Sequence, residues 1–164
     1  MKLNPREYTE KELLVKLASF CAYQERSTFE VQQKLKELGA TSEVSKQIIS
    51  ELKALNYLDE ARFVMSFARG KHRLKNWGKL RIQNELQFKH RIPSHLIDPA
   101  LVALDENNEY RETLLKLTQT KFEKLEGTEH RFEKTVSYLH AKGYELNEVV
   151  SVVSALDKFS KNSN

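Results

Sequence analysis

This sequence predicts an all-α fold of three tandem three-helix repeats, laid end to end as an elongated, curved rod. Three observations predict it. Apolar residues recur at helical spacing, i, i+3, i+4 and i+7, along the whole chain. Five Gly and three Pro in 164 residues leave too few turn signals for a β-meander. A pattern also recurs at a period of 52 residues: Gly39, Arg91 and Gly143 share one offset, Ile49, Leu101 and Val153 a second, and Leu52, Leu104 and Leu156 a third. A fixed period near fifty marks stacked supersecondary units. A three-helix unit of that size is marginal alone and gains stability by sharing apolar faces with its neighbours.

The first repeat spans residues 8–57. Thr9-Glu10-Lys11-Glu12 reads as a capping box opening a helix that carries Leu13, Leu14, Leu17, Phe20 and Cys21. Ser27-Thr28-Phe29-Glu30 is a second capping box, for a helix with Val31, Leu35 and Leu38 that Gly39 terminates. Ser42 opens a third, with Val44, Ile48, Ile49, Leu52 and Leu55 inward. The second repeat spans 58–105, with Asp59 as the first N-cap. Its opening helix turns Phe63, Val64, Phe67 and Leu74 inward, and its middle helix Leu80 or Ile82, Leu86 and Phe88. The third repeat spans 106–158 and carries Phe132, Val136 and Leu139 on its middle helix. The register of the middle helices slips by about one residue between copies. Pro99 either kinks the helix begun at Ser94 or makes Asp98 the true cap. Residues 159–164 are expected to fray.

Charge is concentrated in the second repeat. Between Ala61 and Arg91 stand nine cations, Arg62, Arg69, Lys71, Arg73, Lys75, Lys79, Arg81, Lys89 and Arg91, against one acid, Glu85. The chain as a whole carries +4, so the remainder is about −4. A solvated face ordinarily mixes both signs. A concentrated cationic face favours a polyanion, first of all a nucleic-acid backbone. On the opening helix Arg62, Arg69 and Arg73 lie opposite the apolar face. Lys79 and Arg81 fall in the first turn of the next helix, where the helix dipole disfavours cations. An anion docked on the free N–H groups there would offset that cost. Trp77 can serve as a staple against the core or as a surface for stacking a base.

Other chemistry finds little support. The five His have no Cys at zinc spacing and form no H-E-x-x-H, so no metal site is expected. There is no G-x-S-x-G, no local His partner for Cys21, and no Gly-rich loop ahead of a helix. A nuclease would need clustered carboxylates where the cations lie, and Asp59 and Glu60 fit a cap better. The sequence therefore predicts neither an enzyme nor a cofactor. Cys21 is expected as a buried small hydrophobe. No apolar run approaches a membrane span, and Met1 to Glu7 has no secretory core, which predicts a cytoplasmic protein.

Ordered motifs carry a family resemblance. Tyr23 to Glu30, continuing to Lys34-Leu35, resembles the first-repeat motif of the RecX regulatory proteins, an aromatic or Leu followed by R-S-x-x-E-x-x-x-K-L. Tyr57-Leu58-Asp59-Glu60-Ala61-Arg62-Phe63 resembles their GYLDDxRFA signature, with Asn56 in place of Gly and Val64 in place of Ala. Gly78 to Leu86 resembles their G-x-x-R-I-x-x-E-L, and Lys142-Gly143-Tyr144 their weaker KG-aromatic pattern. The match runs from about residue 10 to 105. Around Lys89-His90-Arg91 the glycine usual at that helix end is missing. The resemblance implies a non-enzymatic bacterial regulator that lies along the groove of the RecA–DNA filament. It would inhibit RecA's strand-exchange and ATPase activities, in control of homologous recombination, DNA repair and the SOS response. It also implies direct binding to single- and double-stranded DNA. On this reading the nine cations are the DNA- and RecA-contacting residues, with Arg62, Arg69, Arg73, Lys79 and Arg81 foremost. Arg26 and Asp59 are structural, and the protein is a monomer without a membrane partner. The rival reading is a stand-alone DNA-binding protein, because three-helix repeats are helix-turn-helix-like.

Overall fold

The computed structural model describes residues 7–162; Met1 to Arg6, part of the stretch read as lacking a secretory core, lies outside them, as do Ser163 and Asn164. Nine α-helices and one π-helical turn make up the regular structure of the described residues, with no strand among them. The first triplet is α1 (Glu10–Tyr23), α2 (Thr28–Glu37) and α3 (Ser42–Ala54). The second is α4 (Glu60–Lys75), α5 (Lys79–Asn84), running on through the π turn Glu85–Lys89, and α6 (Ser94–Ala103). The third is α7 (Glu109–Lys124), α8 (Arg131–Ala141) and α9 (Leu146–Asn162). Helix packing is heaviest inside each triplet.

The caps form where side-chain chemistry demands. The Thr9 and Ser27 hydroxyls accept from the amides of Glu12 and Glu30, whose carboxylates accept in return from the amides of Thr9 and Ser27. The Asp59 carboxylate accepts from the Arg62 amide at 2.8 Å. Such caps each contribute about 1 kcal/mol. Arg26 ties α1 to α2, donating to the Phe20 carbonyl and pairing with Glu30. α6 begins at Ser94 with Pro93 as its cap residue, so Pro99 lies inside the helix and Asp98 does not cap it. α9 continues as helix through Phe159 to Asn162, past the point where fraying was expected.

The repeat is written in the backbone. Left-handed residues stand at Gly39, Arg91 and Gly143, after the second helix of each triplet, and at Asn56 and Asn108, after the third helix of the first two. The register slip also has a cause. Val31 and Leu35 recur 104 residues on as Thr135 and Leu139, all fully buried, whereas the second triplet's Ile82 and Leu86 come one residue early. The π turn takes up the extra residue. The amide after the left-handed position bonds back five residues in the outer triplets, Ala40 to Leu35 and Tyr144 to Leu139, but six in the second, Ile92 to Leu86. π turns of this kind commonly mark such one-residue insertions at functional sites.

The apolar interior divides unequally. The first triplet has its own core, built from Leu13, Leu17, Cys21, Val31, Leu35, Ile48, Ile49, Leu52 and Leu58. Burial pushes the Cys21 thiol above its ordinary pKa, as befits an inert core residue. The second and third triplets share one continuous core from Phe63 to Val153. Three inward assignments are corrected. Leu55, the C-cap of α3, and Leu74 and Phe88 are exposed, at 54%, 81% and 74%, and the inward position of the last turns of α4 is filled by buried His72. The His72 Nδ1–H donates to the Trp77 carbonyl at 3.1 Å, while its buried Nε2 has no hydrogen-bond partner among the described residues.

Candidate nucleic-acid interface

The nine cations fall into two sets. Four are held by carboxylates. Arg62 Nε donates to Glu25 at 2.6 Å, and its other nitrogens reach the side chain and carbonyl of Asn56 and the carbonyl of Tyr57. Arg73 forms a bidentate pair with Glu109 at 2.9 Å. Lys79 pairs with Asp105 and lies over the Tyr110 ring. Lys89 pairs with Glu85, one turn back, at 2.9 Å. The protonation behaviour agrees. Hydrogen bonds from Arg73 and from Lys89 hold Glu109 and Glu85 below the usual carboxylate range. Three of the four acids, Glu25, Asp105 and Glu109, come from outside the basic stretch, so folding places acids where the sequence showed none.

The other five, Arg69, Lys71, Lys75, Arg81 and Arg91, form no carboxylate pair among the described residues. Lys71 and Arg81 converge on Trp77, with Nζ 4.9 Å and Cζ 4.3 Å from its ring centroid. Arg91 lies over Phe29 of the first triplet at 4.7 Å. Trp77 is half-buried and packs on the shared core, which makes it a staple whose remaining surface two cations flank.

The start of α5 is not the anion site that its cations suggested. Its amides are already used: Gly78 N donates to the Lys142 carbonyl at 2.8 Å, Lys79 N to the Tyr110 hydroxyl at 3.0 Å and Leu80 N to the Gly143 carbonyl at 2.9 Å. The helix start is docked on the turn between α8 and α9. Gly78 and Gly143 meet backbone to backbone, and a Cβ on either would collide with main chain of the other triplet. Burial raises the pKa of the Tyr110 and Tyr144 hydroxyls packed beside this joint. Sequence spacing carried no sign of this docking, although the recurrence of Gly143 at the Gly39 offset pointed to the turn itself.

The joint between the first two triplets is polar. Ser27 Oγ and His90 Nδ1 are 3.2 Å apart in a buried setting, and Thr28 N donates to Glu60 at 3.3 Å. His90 also packs against the rings of Phe63 and Phe67. No helix of the described residues is long and apolar enough to cross a membrane.

Comparison with known proteins agrees with this architecture. Residues 59–101, the second triplet almost entirely, match the family model described as RecX, second three-helix domain. The curated Regulatory protein RecX of Prosthecochloris aestuarii is 26% identical over 147 residues, covering 89% of this chain and 94% of that protein. That of Geobacillus kaustophilus is 28% identical over 138 residues, and there the chain spans half the relative's length. The crystal structure of RecX from Lactobacillus salivarius superposes with a TM-score of 0.80 at 20% identity, over 90% of this chain and 96% of the other. A second crystal structure, of a regulatory protein RecX, gives 0.76 at 21% identity, over 91% of this chain and 71% of that one. With three helical triplets among the described residues and these motifs in order, the chain resembles the RecX regulatory proteins in fold and sequence.

Proposed function

We propose that this chain is a regulatory protein that binds the RecA–DNA filament and inhibits RecA's recombinase and ATPase activities, restraining recombination and the SOS response. The observation that carries this reading is the second triplet: it matches the family model for RecX's second three-helix domain and holds five cations with no carboxylate pair among the described residues. A linear series of triplets suits a helical filament, because each triplet can meet a successive subunit while the central one meets negative charge. Arg69, Lys71, Lys75, Arg81 and Arg91 are the charge contacts. Arg62, Arg73, Lys79 and Lys89 act first in holding joints and helices, since an anion would have to displace a carboxylate already in place.

RecA ATPase on single-stranded DNA, with this chain at substoichiometric amounts, tests the reading. The expected result is a fall in turnover, together with a smaller effect for Arg81→Glu. Unchanged turnover, with sequence-selective binding to naked duplex, would overturn it in favour of a stand-alone DNA-binding protein.

A further inference from the structure

The basic surface does not stop at the second triplet. Two aromatic rings, one on each side of the joint between the second and third triplets, are each flanked by two cations. Lys71 and Arg81 both lie over the Trp77 ring. Lys121, with Nζ 4.6 Å from the ring centroid, and Lys142, at 5.6 Å, both lie over the Tyr138 ring. None of these four cations is paired with a carboxylate among the described residues. Lys142 connects the two stations physically. Its carbonyl accepts from Gly78 N at 2.8 Å and its Nζ donates to the Lys75 carbonyl at 3.5 Å, so its side chain lies along the turn that carries Trp77.

We propose that Lys71, Trp77, Arg81, Lys142, Tyr138 and Lys121 form one track for a single-stranded nucleic acid, crossing from the second triplet into the third. The assignment rests on the reading that this chain binds DNA and names the surface and the strand state. Cations alternate with partly exposed rings, the composition that binds phosphates and stacks bases without reading sequence. Single-stranded substrate is specified because a ring can stack on a base only where the base is unstacked; duplex bases present only their groove edges. Here the third triplet supplies a phosphate and base station of its own. The charge pattern in the sequence hid it, because Lys121 and Lys142 lie amid acids along the chain.

The structural alternative has the lysine stems merely covering the rings, with Lys142 capping the carbonyl end of α4. Salt dependence separates the two. Anisotropy of a labelled oligo-dT would be titrated with the full chain at several salt concentrations, for wild type, Arg81→Gln, Lys121→Gln and Lys142→Gln. Each neutralised phosphate contact should reduce the magnitude of the logarithmic salt slope by about 0.7. Emission of Trp77, the sole tryptophan, should be quenched by oligo-dT more than by a duplex of equal length. The Lys121 Nζ lies over the Tyr138 ring and has no hydrogen bond to the carbonyl end of α4 among the described residues, so a changed slope there cannot come from loss of the Lys142 cap. If Arg81→Gln alters the slope and both third-triplet variants keep the wild-type value, the track ends at the joint and this inference fails while DNA binding stands. If oligo-dT does not bind at all, the direct DNA contact in the functional reading fails with it.

Discussion

Replacing Gly78 by Ala should open the joint between the second and third triplets. Gly78 has φ −79°, which alanine adopts freely, so backbone strain has no part in the effect. The obstacle is space: a Cβ at this position would lie 2.3 Å from the carbonyl carbon and oxygen of Gly143 and 2.4 Å from the Tyr144 nitrogen. All three are main-chain atoms and cannot swing aside. Reaching ordinary contact distance requires a separation of roughly 1 Å. That shift would stretch the bonds from Gly78 N to Lys142 and from Leu80 N to Gly143, now 2.8 and 2.9 Å, beyond hydrogen-bonding range. Two lost bonds at about 0.5–1.5 kcal/mol each, with the amides left buried, predict a loss of about 2–4 kcal/mol. Two controls bracket the result. Gly39→Ala meets open space but keeps φ +82°, and should cost about 1 kcal/mol. Gly70→Ala meets open space inside α4 and should stabilise by up to about 1 kcal/mol. Equilibrium urea unfolding gives all three values, and hydrogen exchange at the Leu80 amide reports the joint itself. A Gly78→Ala variant within 1 kcal/mol of wild type, with Leu80 still protected, would refute the reasoning.

Two further predictions concern the first joint. Arg91 holds φ +58° at the offset where the other triplets have glycine, so Arg91→Gly should be more stable than Arg91→Ala by about 1 kcal/mol, net of glycine's greater unfolded-state entropy; equal urea midpoints would show that the turn carries no strain. Burial holds His90 below its ordinary pKa of 6.5, with Glu30 and Glu85 opposing and Lys89 and Lys71 reinforcing that shift. The unfolded chain therefore binds the extra proton first, and the stability that neutral His90 contributes is present above about pH 6.5 and is lost as pH falls through the folded value. The advantage of wild type over His90→Gln should shrink between pH 7.5 and 5.5, and a gap independent of pH would exclude His90 as its source.

The first four helices were legible because each begins with a side-chain cap, such as the Thr9 and Ser27 boxes or the Asp59 cap, whereas α5 to α8 start without one and were legible from apolar spacing alone. Misreadings came where local pattern and tertiary context diverge. Leu74 looked inward by spacing and is exposed, because His72 fills that turn, with its Nδ1–H on a carbonyl five residues on. The one-residue slip was visible in the sequence, but its cause, a π turn, was not, since a π turn has no spacing signature of its own. The basic stretch was legible as charge and not as a site. Glu25, Asp105 and Glu109, which occupy three of its cations, are 26 to 37 residues distant in the chain. Lys121, Tyr138 and Lys142 approach it only through folding.

The two joints are built from different chemistry, and that difference decides which cations an approaching polyanion can use. At the first joint Glu25 meets Arg62, Ser27 meets His90, Thr28 meets Glu60 and Phe29 meets Arg91, with no apolar core running across. At the second, a continuous core and main-chain hydrogen bonds carry the load, and the ion pairs of Arg73 and Lys79 are additions at its edge. Salt and acid therefore act on the first joint far more than on the second, because screening and protonation weaken ionic links and leave apolar burial nearly unchanged. A phosphate that captured Arg62 would have to displace Glu25 and so loosen the first triplet. One that settled on Arg81 or Lys142 would displace no carboxylate and would leave the shared core intact. The second joint is thus the part of the surface where an anion would bind without unfastening the protein.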